Sequence, residues 1–397
     1  MKNLFSVVFT LIATTAFSQG VRCGTVFSGK LDELFISHAP VSRSVITIPV
    51  VFHIVWRDSS DNIPDARITS QLDVLNTDFR ALNDQLKYLS SAKRSLAADM
   101  EIEFCLAAVD PQGIPTTGIL RYKSEVENIG TQNTPTIPSK AFIKHKNLGG
   151  AEAWDTQRYL NIWVGKFQDG AILAESKFPW DNLPEEDGIR IDPAYVGVNC
   201  NGSPKKQFAL GRTLTHEVGH YLGLLHPWSA DCATGDYVED TPPQRCPYYG
   251  CMPQVMDDAC GSVPLVENFM QFSDDACLAL FTHGQKERVY QMLLQYRPLL
   301  LNNNISCFKP TFADRLTEDN VRIYPNPTSH CISIDLRLNR ESDIKVEIFD
   351  TSGKLIWKDV VKVLLLRPIE LSFTQSGIYF IRLTGNENTL VRKVVVM

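Results

Sequence analysis

Three of the chain's eight histidines fall between Thr215 and Trp228, in the stretch THEVGHYLGLLHPW. His216 and His220 are four residues apart, so on a helix both imidazoles leave one face and can reach a common metal ion. Glu217 is turned aside from that axis, which places it to touch a metal-bound water rather than the metal. Gly223 permits a sharp backbone turn, and that turn can return His226 as a third nitrogen ligand. The fourth tetrahedral position is then left to water or substrate. This is the arrangement of metal-assisted hydrolysis, with a zinc ion as Lewis acid and Glu217 as general base. A bare His-Glu-x-x-His also arises as an ordinary helix face; the added Gly223 and His226 at fixed spacing favour zinc.

These residues need a helix, a turn and a rigid support. The pattern from Gln207 to Leu222 is helical and ends at Gly223. Upstream, VITIPVVFHIVW from Val45 is β-branched and partly alternating, which predicts a strand. Ala66 to Asn83 places Ile68, Leu72, Leu75 and Phe79 at spacings of three and four, an amphipathic helix. DMEIEFCLAAVD and RYLNIWVGKF predict further strands, and GAILAESKFPW, bounded by Gly and Pro, an edge strand. Strands alternating with helices give a mixed α/β domain. Past Pro227 the chain turns irregular and cysteine-rich to about Cys277. THGQKERVYQMLLQYR then predicts a last helix stopped by Pro298. LLLNNNISCFKPTFADRLTEDN has linker composition, and Val321 to Met397 consists of short alternating strands (CISIDL, IKVEIF, GIYFIRL, LVRKVVV) between turn residues, a small all-β sandwich. The expected division is 1–18 signal peptide, 19–44 propeptide, 45–305 catalytic domain, 306–320 linker and 321–397 sandwich.

With 45 acidic and 39 basic residues the formal charge is -6, which argues against nucleic acid or an anionic membrane surface as partner. MKNLFSVVFTLIATTAFSQG reads as a secretory signal peptide: a basic Lys2, a short apolar run, and Ala16 and Ser18 before a cut at Gln19. No segment offers roughly 20 unbroken apolar residues, so the chain is not expected to span a membrane. Arg22 directly before Cys23 argues against a lipidated cysteine. Ten cysteines in a secreted chain imply disulfides. His53 lies in an apolar strand and reads as a core histidine; His38, His145, His283 and His330 have no matching ligand partners.

His216-Glu217-x-x-His220-x-x-Gly223-x-x-His226 resembles the long zinc signature of the metzincin metalloproteases. Their methionine turn has a counterpart in Met270. GDYVEDTP, Asn268-Phe269-Met270 with Asp-Asp-x-Cys, and FTHGQKERV are similar to the pappalysin group over about Val45 to Pro298. The resemblance implies a metzincin fold, with a twisted mixed sheet and an active-site helix, and an endopeptidase acting on extracellular proteins or peptides. One position departs: where pappalysins carry Tyr two residues after the methionine, this chain has Phe272, which can offer only packing. The edge strand would hold substrate extended and antiparallel. Bacterial pappalysins cleave before Arg through an acidic group in S1′; Asp274 and Asp275 are the acids to consider for that role.

VRCGT around Cys23 resembles the cysteine switch of these zymogens, in which the thiolate takes the fourth zinc position; the alternative is a Cys23 disulfide. Setting aside Cys23 and the sandwich's Cys331 leaves eight cysteines that can pair fully. The resemblance implies Cys232–Cys260 and Cys251–Cys277. It also implies calcium near GDYVEDTPP, where Asp236, Glu239, Asp240 and Thr241 offer oxygen donors; the alternative is a solvated acidic turn. The tail, with YPNP and its closing basic-then-valine strand, resembles the C-terminal sorting domain of type IX secretion. That implies contact with secretion machinery and an extracellular or surface location. The competing reading of the whole is a surface binding protein with a degenerate protease domain, against which the three histidines and Glu217 stand intact.

Overall fold

The computed structural model describes residues 22–25 and 27, and then 45–397 apart from 135–139, 171, 182, 200–203, 230–231, 233–234, 253–259, 308–314, 319, 325, 329, 337, 339–341, 364–368 and 386–387. The expected signal peptide, most of the expected propeptide and the middle of the expected linker lie outside the described residues.

The first sheet is built on β1 (Ile46–Trp56), an eleven-residue strand buried on both faces. That double burial is why it reads as a continuous apolar run rather than a strict alternation. Beside β1 lie β2 (Ile102–Leu106) along its first half and β3 (Ile119–Lys123) along its second. On the other edge follow β4 (Leu160–Val164), β6 (Ile189–Ile191) and β5 (Ala174–Ser176). All pairings are parallel except β5 with β6, so β5 is an antiparallel edge strand. β3 and β6 were not legible in the sequence; β6 is three residues long, below the reach of any periodicity.

Helix α1 (Asp65–Phe79) packs on β2 and on α3 (Arg212–Tyr221). A single turn, α2 (Ser91–Arg94), is capped by Ser90. The active-site helix starts at Arg212 rather than Gln207. Gly211 sits at φ 81°, a left-handed conformation no helix interior tolerates, and Lys206–Phe208 forms only a separate 3-10 turn. Two carboxylates hold the first turn of α3: Asp78 accepts from the Arg212 guanidinium and from Thr215 Oγ1, and Asp275 Oδ2 accepts from the amides of Leu210 and Arg212. Helix α4 (His283–Tyr296) opens on a capping box of Thr282 and Gln285. Its run does not simply stop at Pro298, which starts the short α5 (Pro298–Leu301), a position where proline's missing amide costs nothing.

The second unit has its own core, from Leu316 to Val396. Its four-stranded sheet runs β10 (Leu355–Val363), β9 (Ser342–Phe349), β12 (Gly377–Thr384), β13 (Thr389–Val396), and its three-stranded sheet β11 (Ile369–Ser372), β8 (Cys331–Leu336), β7 (Val321–Tyr324). The expected sandwich is thus present, with three strands beyond the four legible ones. Leu316 already belongs to this core, and Ala108 N donates to Ser306 O in the first unit, so ordered packing enters the expected linker from both ends.

Cys232–Cys260 and Cys251–Cys277 are both bonded, as the resemblance implied, and Cys105–Cys307 adds a third bridge. The pairing arithmetic needs correcting in two places: Cys246 is free and exposed, and Cys331 is disulfide-bonded.

Candidate metal centre and active site

The Nε2 atoms of His216, His220 and His226 lie 3.0–3.1 Å from one another. Two of the rings are oriented from behind, His216 Nδ1 donating to Phe269 O and His220 Nδ1 to Leu224 O, each at 2.8 Å. Those bonds place the ring protons on Nδ1, so the Nε2 lone pairs of both rings point inward. Burial holds all three imidazoles well below the usual histidine range, His220 at about 4, and the neighbouring rings push His216 and His226 the same way. Neutral rings with converging lone pairs cannot satisfy one another by hydrogen bonding. They fit a small cation between them, and their spacing suits neighbouring corners of a tetrahedron with bonds of about 2 Å.

Cys23 supplies the fourth group. Its Sγ lies with the three imidazole nitrogens within 4.8 Å, and this is the one such cluster among the described residues. Backbone pairing carries it there: Leu173 N donates to Arg22 O, Gly24 N donates to Ala174 O, and Cys23 bridges Ala174 in the parallel sense. Burial, and then the charge on Glu217, push the Cys23 thiol well above its usual value; a divalent cation among the rings reverses that balance.

Glu217 is fully buried. Oε2 accepts from Thr25 Oγ1 at 3.0 Å, while Oε1 has no partner. Burial pushes its carboxyl up to about 8, against the hydrogen bonds of Cys23 and Thr25. Thr25 Oγ1 in turn accepts from Ser176 N at 2.8 Å, which ties the base to the edge strand.

The floor of the site depends on two glycines. Gly223, at φ 93°, makes the turn that returns His226. Gly219 lies so close to Met270 that a Cβ there would come within 2.4 Å of its Sδ. Met270 therefore packs directly beneath the helix, and its turn is fixed by Asn268 Oδ1 accepting from Met270 N. Phe272 packs against His216 and His226 with ring centroids 5.7 and 5.1 Å away. Trp228, which sequence reasoning missed, stacks on His226 at 4.2 Å and 8°. No periodic or motif signal marks it.

Of the two acids considered for S1′, Asp275 is the buried one. Its Oδ1 meets Arg22 Nη2 at 2.5 Å, and Arg22 Nη1 donates to Ser273 O at 2.7 Å. Asp274 is half-buried and raised by burial and by the Asp275 charge. The acidic turn after His226 is less simple. Asp236 Oδ1 accepts from Thr241 Oγ1 and from Val238 N, and its Oδ2 is buried without a partner. Asp240 spends both oxygens on the start of α4, accepting from Thr282 Oγ1 and Gly284 N. These donors fit a calcium ion only in part.

His53 and His145 are held by structural contacts. His53 donates to Asn161 Oδ1 at 2.9 Å and stacks on Trp163; burial lowers it to about 4. His145 is not partnerless, since its Nε2 meets Glu186 Oε1 at 2.5 Å.

Comparison with known proteins agrees with this geometry. The family model described as pregnancy-associated plasma protein-A matches residues 145–294, and a secretion system C-terminal sorting domain matches 322–397. An extracellular metalloprotease of Colletotrichum graminicola is 42% identical over 261 residues, covering 64% of this chain and 79% of the relative. Extracellular metalloprotease 1 of Coccidioides posadasii is 39% identical over 142 residues, 35% of this chain and 50% of the relative, so this chain spans half its length. Among solved structures, a Tannerella forsythia promirolysin mutant superposes with a TM-score of 0.60 at 38% identity, covering 66% of this chain and 86% of that one.

Proposed function

This chain belongs to the pappalysin family of metalloproteases, and from that premise we propose that it is a zinc endopeptidase made as a latent precursor, with Glu217 as general base and a preference for Arg at P1′. It is an extracellular metalloprotease carrying a type IX sorting domain. No helix among the described residues is long and apolar enough to cross a membrane. The observation that carries the proposal is the convergence of three neutral imidazoles with Cys23 beside an unpartnered Glu217 oxygen.

His216, His220 and His226 would hold the zinc ion, which when bound supplies Lewis acidity toward the scissile carbonyl and water. Glu217 takes a proton from the attacking water and returns it to the leaving amine. Its free Oε1 gives it a lone pair to do so, and burial raises the proton affinity of the carboxyl. Edge strand β5 offers backbone groups to an extended substrate. Phe272 and Trp228 hold the ring of His226 by packing, and no phenol stands at position 272.

Latency follows from three contacts made by residues 22–25. Cys23 takes the ligand position open to substrate, Thr25 occupies Glu217, and Arg22 fills the acidic pocket of Asp275. The segment lies parallel to β5, opposite to the antiparallel substrate, so no peptide bond is presented productively. Arg22 on Asp275 supports the P1′ reading, and of the two acids it favours Asp275. We place the domain limits as read from sequence, and calcium at Asp236, Asp240 and Thr241, supported by the buried free oxygen of Asp236 but not by the occupied Asp240. A rise in melting temperature on adding calcium to chelator-treated protein tests that site.

The deciding experiment is cleavage of a quenched peptide library by the activated enzyme, read by mass spectrometry, beside a Glu217→Ala control. Cuts before Arg that vanish in the control and with chelator support the proposal; silence from folded, zinc-loaded protein overturns it.

A further inference from the structure

Beyond Cys23, on the side away from Arg22, Phe27 meets two aromatic rings edge-on. Its centroid is 6.1 Å from Phe178 and 5.9 Å from Trp180, at 83° to each. Phe178 and Trp180 are themselves stacked, 4.7 Å apart and 10° from parallel. A tight turn creates this stack: Asp181 N donates to Phe178 O, and Asp181 Oδ2 accepts from Phe178 N. Pro179 stands at the second position of that turn, where its fixed φ fits. Tyr296, at the end of α4, flanks Trp180 at 6.2 Å. Phe178 also leans edge-on against His220 at 5.4 Å, so the aromatic platform begins at the histidine cluster.

Burial separates two roles within it. Phe178 is 5% exposed, packed as a wall, whereas Trp180 and Tyr296 are half-buried and keep part of their surface accessible. A phenyl ring already sits there in the edge-to-face geometry that aromatic pairs prefer. The proposed function requires residues 22–27 to leave on activation, and this apolar surface is then open beside the catalytic groups.

We propose that Phe178, Trp180 and Tyr296 form a specificity subsite that takes an aromatic or large apolar substrate side chain on the N-terminal side of the scissile bond. The assignment of sides rests on the reading of Asp275 as the P1′ pocket: Arg22 marks the C-terminal side, Cys23 the reacting centre, and Phe27 the opposite side. In an extended chain, at about 3.3 Å per residue, the subsite receives a residue about three to five positions before the cleaved bond.

The test is a library with Arg fixed at P1′ and the five preceding positions randomised, digested by activated wild-type, Trp180→Ala and Trp180→Phe enzymes. Aromatic and large apolar residues should be enriched at one upstream position. For a matched peptide pair, Phe over Ser there should raise kcat/KM by about 10-fold or more. Trp180→Ala should reduce that ratio to about threefold or less, and Trp180→Phe should retain most of it. A second readout needs no turnover. The peptide RCGTVF should bind Glu217→Ala enzyme about 10-fold more tightly than RCGTVA by calorimetry, and Trp180→Ala added to that enzyme should erase the difference. A flat upstream profile with the P1′ preference intact, or equal binding of the two peptides, overturns this subsite alone. Absence of all cleavage by folded, zinc-loaded enzyme overturns the peptidase reading and the subsite with it.

Discussion

Arg22 and Asp275 form an ion pair at 2.5 Å with both side chains buried, 253 residues apart in sequence. Asp275 also caps the start of the active-site helix through the amides of Leu210 and Arg212, so the acid that would read a substrate arginine is built into the element that carries His216 and Glu217. Residues 22–25 thus touch Asp275, the histidine cluster and Glu217 together, the three groups to which the proposed function gives recognition, metal binding and proton transfer.

Replacing Asp275 with Asn keeps an oxygen for the helix amides and removes the charge. Cleavage before Arg should fall by about 30-fold or more in kcat/KM, the cost of removing one partner of a buried charge pair, with a smaller loss for peptides bearing Lys. Kinetics on matched peptides check this, and an unchanged ratio of Arg to Leu at P1′ would remove Asp275 from recognition.

Cys23→Ala should yield a full-length chain active before any processing. In the cobalt-substituted precursor, the ultraviolet thiolate-to-metal charge-transfer band should be present in the parent and absent in Cys23→Ala. A band that survives the substitution would mean that another sulfur binds the metal.

Glu217→Ala should lower kcat by about 10³-fold while leaving one zinc per chain by elemental analysis, since the carboxylate lies beside the ligands and is not one of them. Loss of zinc along with activity would contradict that division of roles.

His53 predicts a pH dependence of stability. Its folded value is depressed to about 4 by burial against an ordinary 6.5. Between those values the unfolded chain binds the proton that the folded chain refuses, so stability rises with pH across this window and is lost on acidification. The loss amounts to up to roughly 3 kcal/mol by pH 4. His53→Gln should flatten the difference in denaturant midpoint between pH 7 and pH 4.5; an equally steep profile would assign the acid sensitivity elsewhere.

The Cys105–Cys307 bridge joins β2 to the segment after α5 across 202 residues of chain. Replacing both cysteines by serine should cost about 2–5 kcal/mol, read as a lower thermal midpoint, with the peptide cleavage pattern unchanged because neither residue approaches the histidine cluster.

Much of the catalytic constellation was legible in the sequence because it is local. A helix fixes His216, Glu217 and His220 relative to one another, and one glycine with left-handed φ returns His226, so spacing alone carries the geometry. The long core strand, the sorting sandwich and two of the disulfides were legible from patterning and resemblance. What the sequence could not disclose is long-range. The start of α3 is decided by Gly211 and by Asp78 and Asp275 reaching in from distant segments. The placing of Arg22 on Asp275, Thr25 on Glu217 and Phe27 on Trp180 depends on a short segment pairing with β5, some 150 residues away. Single residues in irregular chain have no periodicity to betray their partners, so only the packed tertiary structure could bring Arg22 to Asp275 rather than Asp274, assign Asp240 to a helix cap, and leave Cys246 unpaired among the described residues.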